Sequence, residues 1–121
     1  MLINELSKKT GVTIHTIRYY ENLGLITGTT DESVKTNKYK NYDDTHVERL
    51  EIIKEAQEAG LTLAEIKVMM EKWYSGNFGA EEQVEFFESK IEVIENKIAQ
   101  LQQMKSRLLD VKEAILKGEC E

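Results

Sequence analysis

The densest run of groups able to recognise a polar partner lies near the start of the chain, at Thr13, His15, Thr16, Arg18, Tyr19 and Tyr20. Hydroxyls, an imidazole and a guanidinium are the donors and acceptors that read base edges in a DNA groove. Catalytic chemistry has no comparable footing. No nucleophile has a histidine beside it, no glycine loop is set to cradle a phosphate, and no separated carboxylate pair stands out, so an enzyme is not expected. Two histidines and the single cysteine, Cys120, predict neither an intrachain disulfide nor a metal-ligand cluster, and no cofactor is expected.

The recognition run needs a helix to hold it. Thr13 is placed as an N-cap, and Ile14, Ile17 and Tyr20 recur on one face, leaving His15, Thr16, Arg18 and Tyr19 on the other until Gly24 ends the helix. The spacing of Tyr20 from Ile17 equally suits a place in the core with its hydroxyl at the rim. A short helix over Asn4–Lys9, with Leu6 inward, precedes this one across a turn at Thr10-Gly11. Two runs rich in β-branched or aromatic residues, Leu25–Thr30 and Lys38–Tyr42, bracket a polar stretch from Asp31 to Asn37 and predict a β-hairpin. Helix, turn, helix and hairpin together make a winged helix-turn-helix, whose second helix enters the major groove while the wing tracks the backbone.

Asp43 or Asp44 caps a third helix with apolar residues at Val47, Leu50, Ile53 and Ala56, ended by Gly60, and His46 is expected to sit in its first turn without special duty. Thr62 and Glu65 have capping-box spacing for a fourth, whose buried side is Leu63, Ile66, Met69, Met70 and Trp73. After a break at Ser75–Gly79, nothing interrupts a helix from Ala80 to Lys117. Its apolar residues Val84, Phe87, Ile91, Ile94, Ile98 and Leu101 step by three and four, the seam of a coiled coil. One extra step of three, a stammer, carries the seam on through Met104, Leu108, Val111 and Ile115. So long an apolar stripe asks for a second copy, and two-fold symmetry is the commonest arrangement. The expected architecture is mainly α: a winged helix-turn-helix DNA-binding domain over 1–75, a hinge at 76–79, a dimerisation helix over 80–117 and a short tail at 118–121.

The net charge of −6 would by itself argue against a nucleic-acid partner, because affinity for DNA comes from Lys and Arg displacing counterions. The charges are not evenly spread: residues 1–42 hold six basic side chains against four acidic ones, and the remainder ten against eighteen. A mildly basic head on an acidic body suits a polyanion held at one end. No apolar run approaches the roughly 18 residues of a spanning helix, and no leader pattern opens the chain, so a cytoplasmic protein with no membrane partner is expected.

Two stretches, Ile3-Asn-Glu-Leu-Ser-Lys-Lys-Thr-Gly-Val-Thr and Thr16-Ile-Arg-Tyr-Tyr-Glu-Asn-Leu-Gly-Leu-Ile26, resemble the opening of the MerR family of bacterial transcription regulators. Asn41-Tyr-Asp-Asp, Val47-Glu-Arg-Leu, Ala59-Gly-Leu-Thr-Leu-Ala-Glu-Ile66 and the long terminal helix are similar to the same family. The resemblance implies an antiparallel coiled-coil homodimer on a pseudo-palindromic operator of double-stranded DNA, within an overlong promoter spacer. An effector would make the dimer bend and untwist that spacer, aligning the promoter for RNA polymerase. It further implies that Arg18 and Tyr19 are recognition-helix contacts, with Tyr20 in the same motif, that Tyr39 and Lys40 are wing contacts, and that Lys54 meets a phosphate. Where the family's wing usually has arginine, this chain has lysine at 38 and 40, which gives up the bidentate fork.

The resembled metal sensors place cysteines at the start of the long helix and beyond its end; here Ala80-Glu-Glu-Gln stands at the first place and only Cys120 near the second, which argues against a metal effector. Cys120 remains a candidate for sensing oxidants or electrophiles. Trp73, Tyr74, Phe78, Phe86 and Phe87 cluster around the joint between the fourth and fifth helices, as packing or as a seat for a small apolar ligand. The rival reading is a structural adaptor with the coiled coil as its working surface. Salt-dependent DNA binding separates the two.

Overall fold

The computed structural model describes residues 1–29 and 40–118. The helices are α1 (Ile3–Thr10), α2 (Ile14–Asn22), α3 (Asp44–Glu58), α4 (Leu63–Ser75) and α5 (Ala80–Leu116), falling into two units, Met1–Asn77 and Phe78–Glu121.

In the first unit α1 packs on α2 and α3, and α3 on α4. Leu6, Ile17, Ile26, Leu50, Ile53 and Ile66 are fully buried, so each of the four helices and the segment after α2 contributes to one core. Such side chains each contribute about 1.5–3 kcal/mol when taken from water. Local signals fix the helix ends. Gly11, at φ 76°, is the left-handed stop of α1, and its N–H donates to the Ser7 carbonyl at 2.8 Å. Thr13 caps α2 by accepting from the Thr16 N–H at 3.1 Å. Thr62 and Glu65 form the reciprocal box that opens α4, at 3.2 and 2.9 Å. Across the α3–α4 pair the Arg49 guanidinium lies 4.2 Å from the centre of the Tyr74 ring.

Three expectations need correction. Leu25 and Ile26 are both buried, so burial does not alternate as a half-exposed strand requires. Among the described residues the two wing runs meet only in one antiparallel bridge, Thr29 with Asn41, and residues 30–39 lie outside the description, including the polar stretch Asp31–Asn37 and the candidate wing contacts Lys38 and Tyr39. Cys120 also lies outside it. Trp73 is 56% exposed: the α4 stripe outlasts the cover its own unit provides. His46, expected to have no special duty, is buried and completes the α3 cap with Asp43. Its Nδ1 accepts from the Asp43 N–H at 3.0 Å while Nε2 lies 2.7 Å from the Thr27 carbonyl. A carbonyl only accepts, so Nε2 carries a proton, and Nδ1 also lies 3.1 Å from Asp43 Oδ1.

The second unit is dominated by α5, 37 residues or about 56 Å of helix. None of its residues is buried, and the ten seam residues from Val84 to Ile115 are 37–71% exposed. At its start Phe86 stands edge-on to Phe78 and Phe87, with ring centres 6.1 and 5.3 Å apart.

Candidate nucleic-acid interface

The helix-turn-helix geometry sets the outward face of α2. Arg18 and Tyr19 are exposed there, with His15, and Thr16 is half-buried beside its cap. Tyr20 points the other way. It is 8% exposed, and its hydroxyl donates to Gln57 of α3 at 3.2 Å, a core position with the polar end at the rim. Burial pushes its phenol pKa up, more than the Gln57 bond lowers it. Lys54 is exposed on α3.

Arg18 lines an open cleft of about 410 Å3 together with Leu2, Ile3, Glu21, Asn22, Lys40 and Tyr42. The cleft thus gathers the start of α1, the outer edge of α2 and the root of the wing. The wing root is held by the Thr29–Asn41 bridge, with N–H to carbonyl distances of 3.0 and 2.6 Å, and by the Tyr42 N–H donating to the Met1 carbonyl at 2.7 Å. Gly28 lets the two segments close: a Cβ there would stand 2.9 Å from two carbons of the Tyr42 ring.

At the back of the cleft Glu21 accepts from Lys40 Nζ at 2.6 Å and from the Tyr42 hydroxyl. Its side chain is 9% exposed, whereas that of Lys40 is 51% exposed. Burial pushes the Glu21 pKa up, but the bonds from Lys40, Tyr42 and the Gly28 backbone together outweigh it, and the carboxyl stays below its ordinary range. Tyr42 is driven the opposite way, first by burial and then by the carboxylate it faces, with the positive charge of Arg18 a smaller opposing influence.

Neither Glu21 nor Tyr42 was singled out from sequence. A signal existed for Glu21: it is an acidic side chain in the last turn of a helix with no basic residue there, where the helix dipole disfavours a negative charge. Such a residue needs cationic or N–H partners from elsewhere in the fold.

A short helix, a glycine turn and a second helix with an exposed arginine, followed by a lysine-bearing wing root, define a helix-turn-helix DNA-binding protein. Residues 1–73 match the model of the MerR HTH family regulatory proteins, and residues 47–111 match that of the MerR DNA-binding region. The mercuric resistance operon regulatory protein of Bacillus cereus is 40% identical over 112 residues, 92% of this chain and 82% of its own. A transcription regulator from Ralstonia metallidurans, solved in complex with lead(II), superposes with a TM-score of 0.82 at 25% identity, over 94% of this chain and 86% of its own. A MerR family regulator lacking the sensor domain and bound to promoter DNA shares the fold at a TM-score of 0.61 and 22% identity, over 98% and 91% of the two chains.

The chain belongs to the MerR family of transcription regulators and is a DNA-binding regulator of that type. Members of this family are transcription regulators rather than enzymes, and they bind promoter DNA as homodimers. Among the described residues no helix is long and apolar enough to cross a membrane.

Proposed function

We propose that this regulator acts in the cytoplasm, without catalysis, by placing two copies of α2 in successive major grooves of a pseudo-palindromic operator and distorting an overlong promoter spacer. One observation carries the reading: Arg18, on the free face of α2, opens onto the same cleft as Lys40 at the wing root. A base-reading guanidinium and a phosphate-facing ammonium thus share one surface. Tyr19 and His15 flank Arg18, Thr13 and Thr16 stand at the helix entrance, and Lys54 offers a further phosphate contact from α3. Tyr20 is read as a core residue rather than a DNA contact, a reading its burial supports. Lys38 and Tyr39, outside the described residues, are further candidate DNA contacts.

The exposed seam of α5 supplies the dimer contact, antiparallel as in the family. Two heads then meet one duplex at a fixed separation. No metal effector is carried over from the mercury- and lead-named relatives, because Ala80-Glu-Glu-Gln stands where the resembled metal sensors place a cysteine at the start of the long helix.

Fluorescence anisotropy on the gene's own upstream region tests this. Arg18→Ala should bring operator affinity down toward that for unrelated DNA, a loss of about 1–3 kcal/mol per half-site. Equal operator preference in the variant and the parent protein would overturn the assignment of Arg18.

A further inference from the structure

We infer that Glu21 is a positioning residue for DNA recognition: by clamping Lys40 at the wing root against the end of α2, it holds that cation in register and limits the protein's affinity for non-operator DNA. The inference rests on the DNA-facing reading of the cleft and adds to it a residue that touches no DNA.

Lys40 offers three donors. One is spent on Glu21 at 2.6 Å, and the half-exposed remainder of the ammonium faces the cleft. The carboxylate is itself almost wholly shielded, and it is anchored by the Tyr42 hydroxyl, so it cannot follow Lys40 if the lysine swings out. Lys40 is therefore fixed relative to Arg18, whose helix carries Glu21 three residues on. The clamp has an electrostatic consequence too. Carboxylate and ammonium cancel, so Lys40 presents a phosphate with direction but with little net charge. Non-operator binding rises with net positive charge at the interface, whereas operator discrimination depends on where donors sit. An acidic residue at this place trades the first for the second.

The exposed Lys9–Asp44 pair provides an internal contrast. Its distance is 3.2 Å, and the Lys9 side chain is 55% exposed, close to that of Lys40, but its partner Asp44 is 89% exposed and free to move with solvent.

The test is a charge cycle on the full chain. Glu21→Gln keeps the size and an oxygen that accepts from Tyr42 while removing the charge. Its salt dependence on non-operator duplex should steepen by roughly 0.9 in log–log slope, about eightfold tighter binding at 0.1 M salt relative to a 1 M reference. Operator affinity should rise less, so the operator to non-operator ratio falls several-fold. Lys40→Gln should move the slope the other way, and the double variant should return it to the parent value. A stability change alone would leave the slope where it was. An unchanged or shallower slope for Glu21→Gln, or an undiminished ratio, overturns the inference.

A second measurement needs no variant. In the parent protein, mass-spectrometric footprinting with an amine-acylating reagent should label Lys40 several-fold more slowly than Lys9, despite their similar exposure. Equal rates overturn the clamp. If the parent protein binds no operator at all, the proposed function fails, while the footprint still decides whether the clamp exists.

Discussion

Gly28→Ala probes the interface where it is most tightly built. The added Cβ would stand 2.9 Å from two ring carbons of Tyr42 and 3.0 Å from the Lys40 Cβ. Carbon atoms rest at about 3.5–4.0 Å, so the ring or the chain must yield by roughly 0.6–1 Å. Tyr42 has nowhere to go. It is 3% exposed, its hydroxyl is bonded to Glu21, its N–H to Met1, and its ring stands edge-on to His46 with centres 5.1 Å apart. Overpacking of this kind costs about 1–3 kcal/mol. For a unit of this size each kcal/mol lowers Tm by roughly 4–8 °C, so the variant should melt at least about 4 °C below the parent protein. Because the displaced ring carries the Glu21–Lys40 pair with it, operator affinity should fall in the same variant. Circular-dichroism melting and anisotropy read the two effects. A Tm within about 1 °C of the parent, with unchanged operator affinity, would refute the close-approach reasoning.

Thr62→Ala removes the hydroxyl that accepts from the Glu65 N–H and should cost about 1 kcal/mol, read as a lower urea midpoint with an unchanged slope. Ile98→Glu sets a charge in the middle of the α5 seam; sedimentation should show monomers where the parent protein is dimeric, and operator affinity should fall with the dimer. The Tyr42 phenol is held well above the ordinary tyrosine value by burial and by Glu21. Its folded pKa is raised, so the stabilisation it brings is complete below about pH 10 and is lost as pH rises beyond that. Phenolate absorbance should therefore show Tyr42 ionising late, together with unfolding, and Tyr42→Phe should remove that late phase.

What was legible in the sequence was local. Thr13, Thr62 with Glu65, and Gly11 act on backbone groups within a few positions, so residue type and spacing carry the information. The α5 helix was legible because its uninterrupted period needs nothing from the rest of the fold. The wing was misread at Leu25–Ile26, where two adjacent apolar residues both turn inward, since a short apolar run does not by its pattern distinguish a strand from a buried connecting segment. His46 was missed because one partner, Thr27, lies 19 positions away. The Glu21–Lys40–Tyr42 group was missed for the same reason: its contacts span 19 and 21 positions and exist only once the wing root folds back on α2. Arg18 could be named from its motif, but the company it keeps in the cleft is a tertiary fact.

An acidic chain that binds DNA must do so with few charges. In the first unit Lys9 is paired with Asp44, Lys40 with Glu21, and the Arg49 guanidinium is drawn over Tyr74. With two of its lysines ion-paired, a single head has less net charge to offer phosphates, and on the proposed reading what it retains is direction: an arginine and a clamped ammonium at a fixed offset. A second head linked through α5 then contributes far more than another set of charges. It turns the second half-site into an intramolecular event, raising affinity only where two half-sites have the right spacing. Low charge in the head and a long apolar seam in the tail are thus two parts of one physical solution. The first suppresses binding at arbitrary sequence, and the second restores affinity where geometry matches.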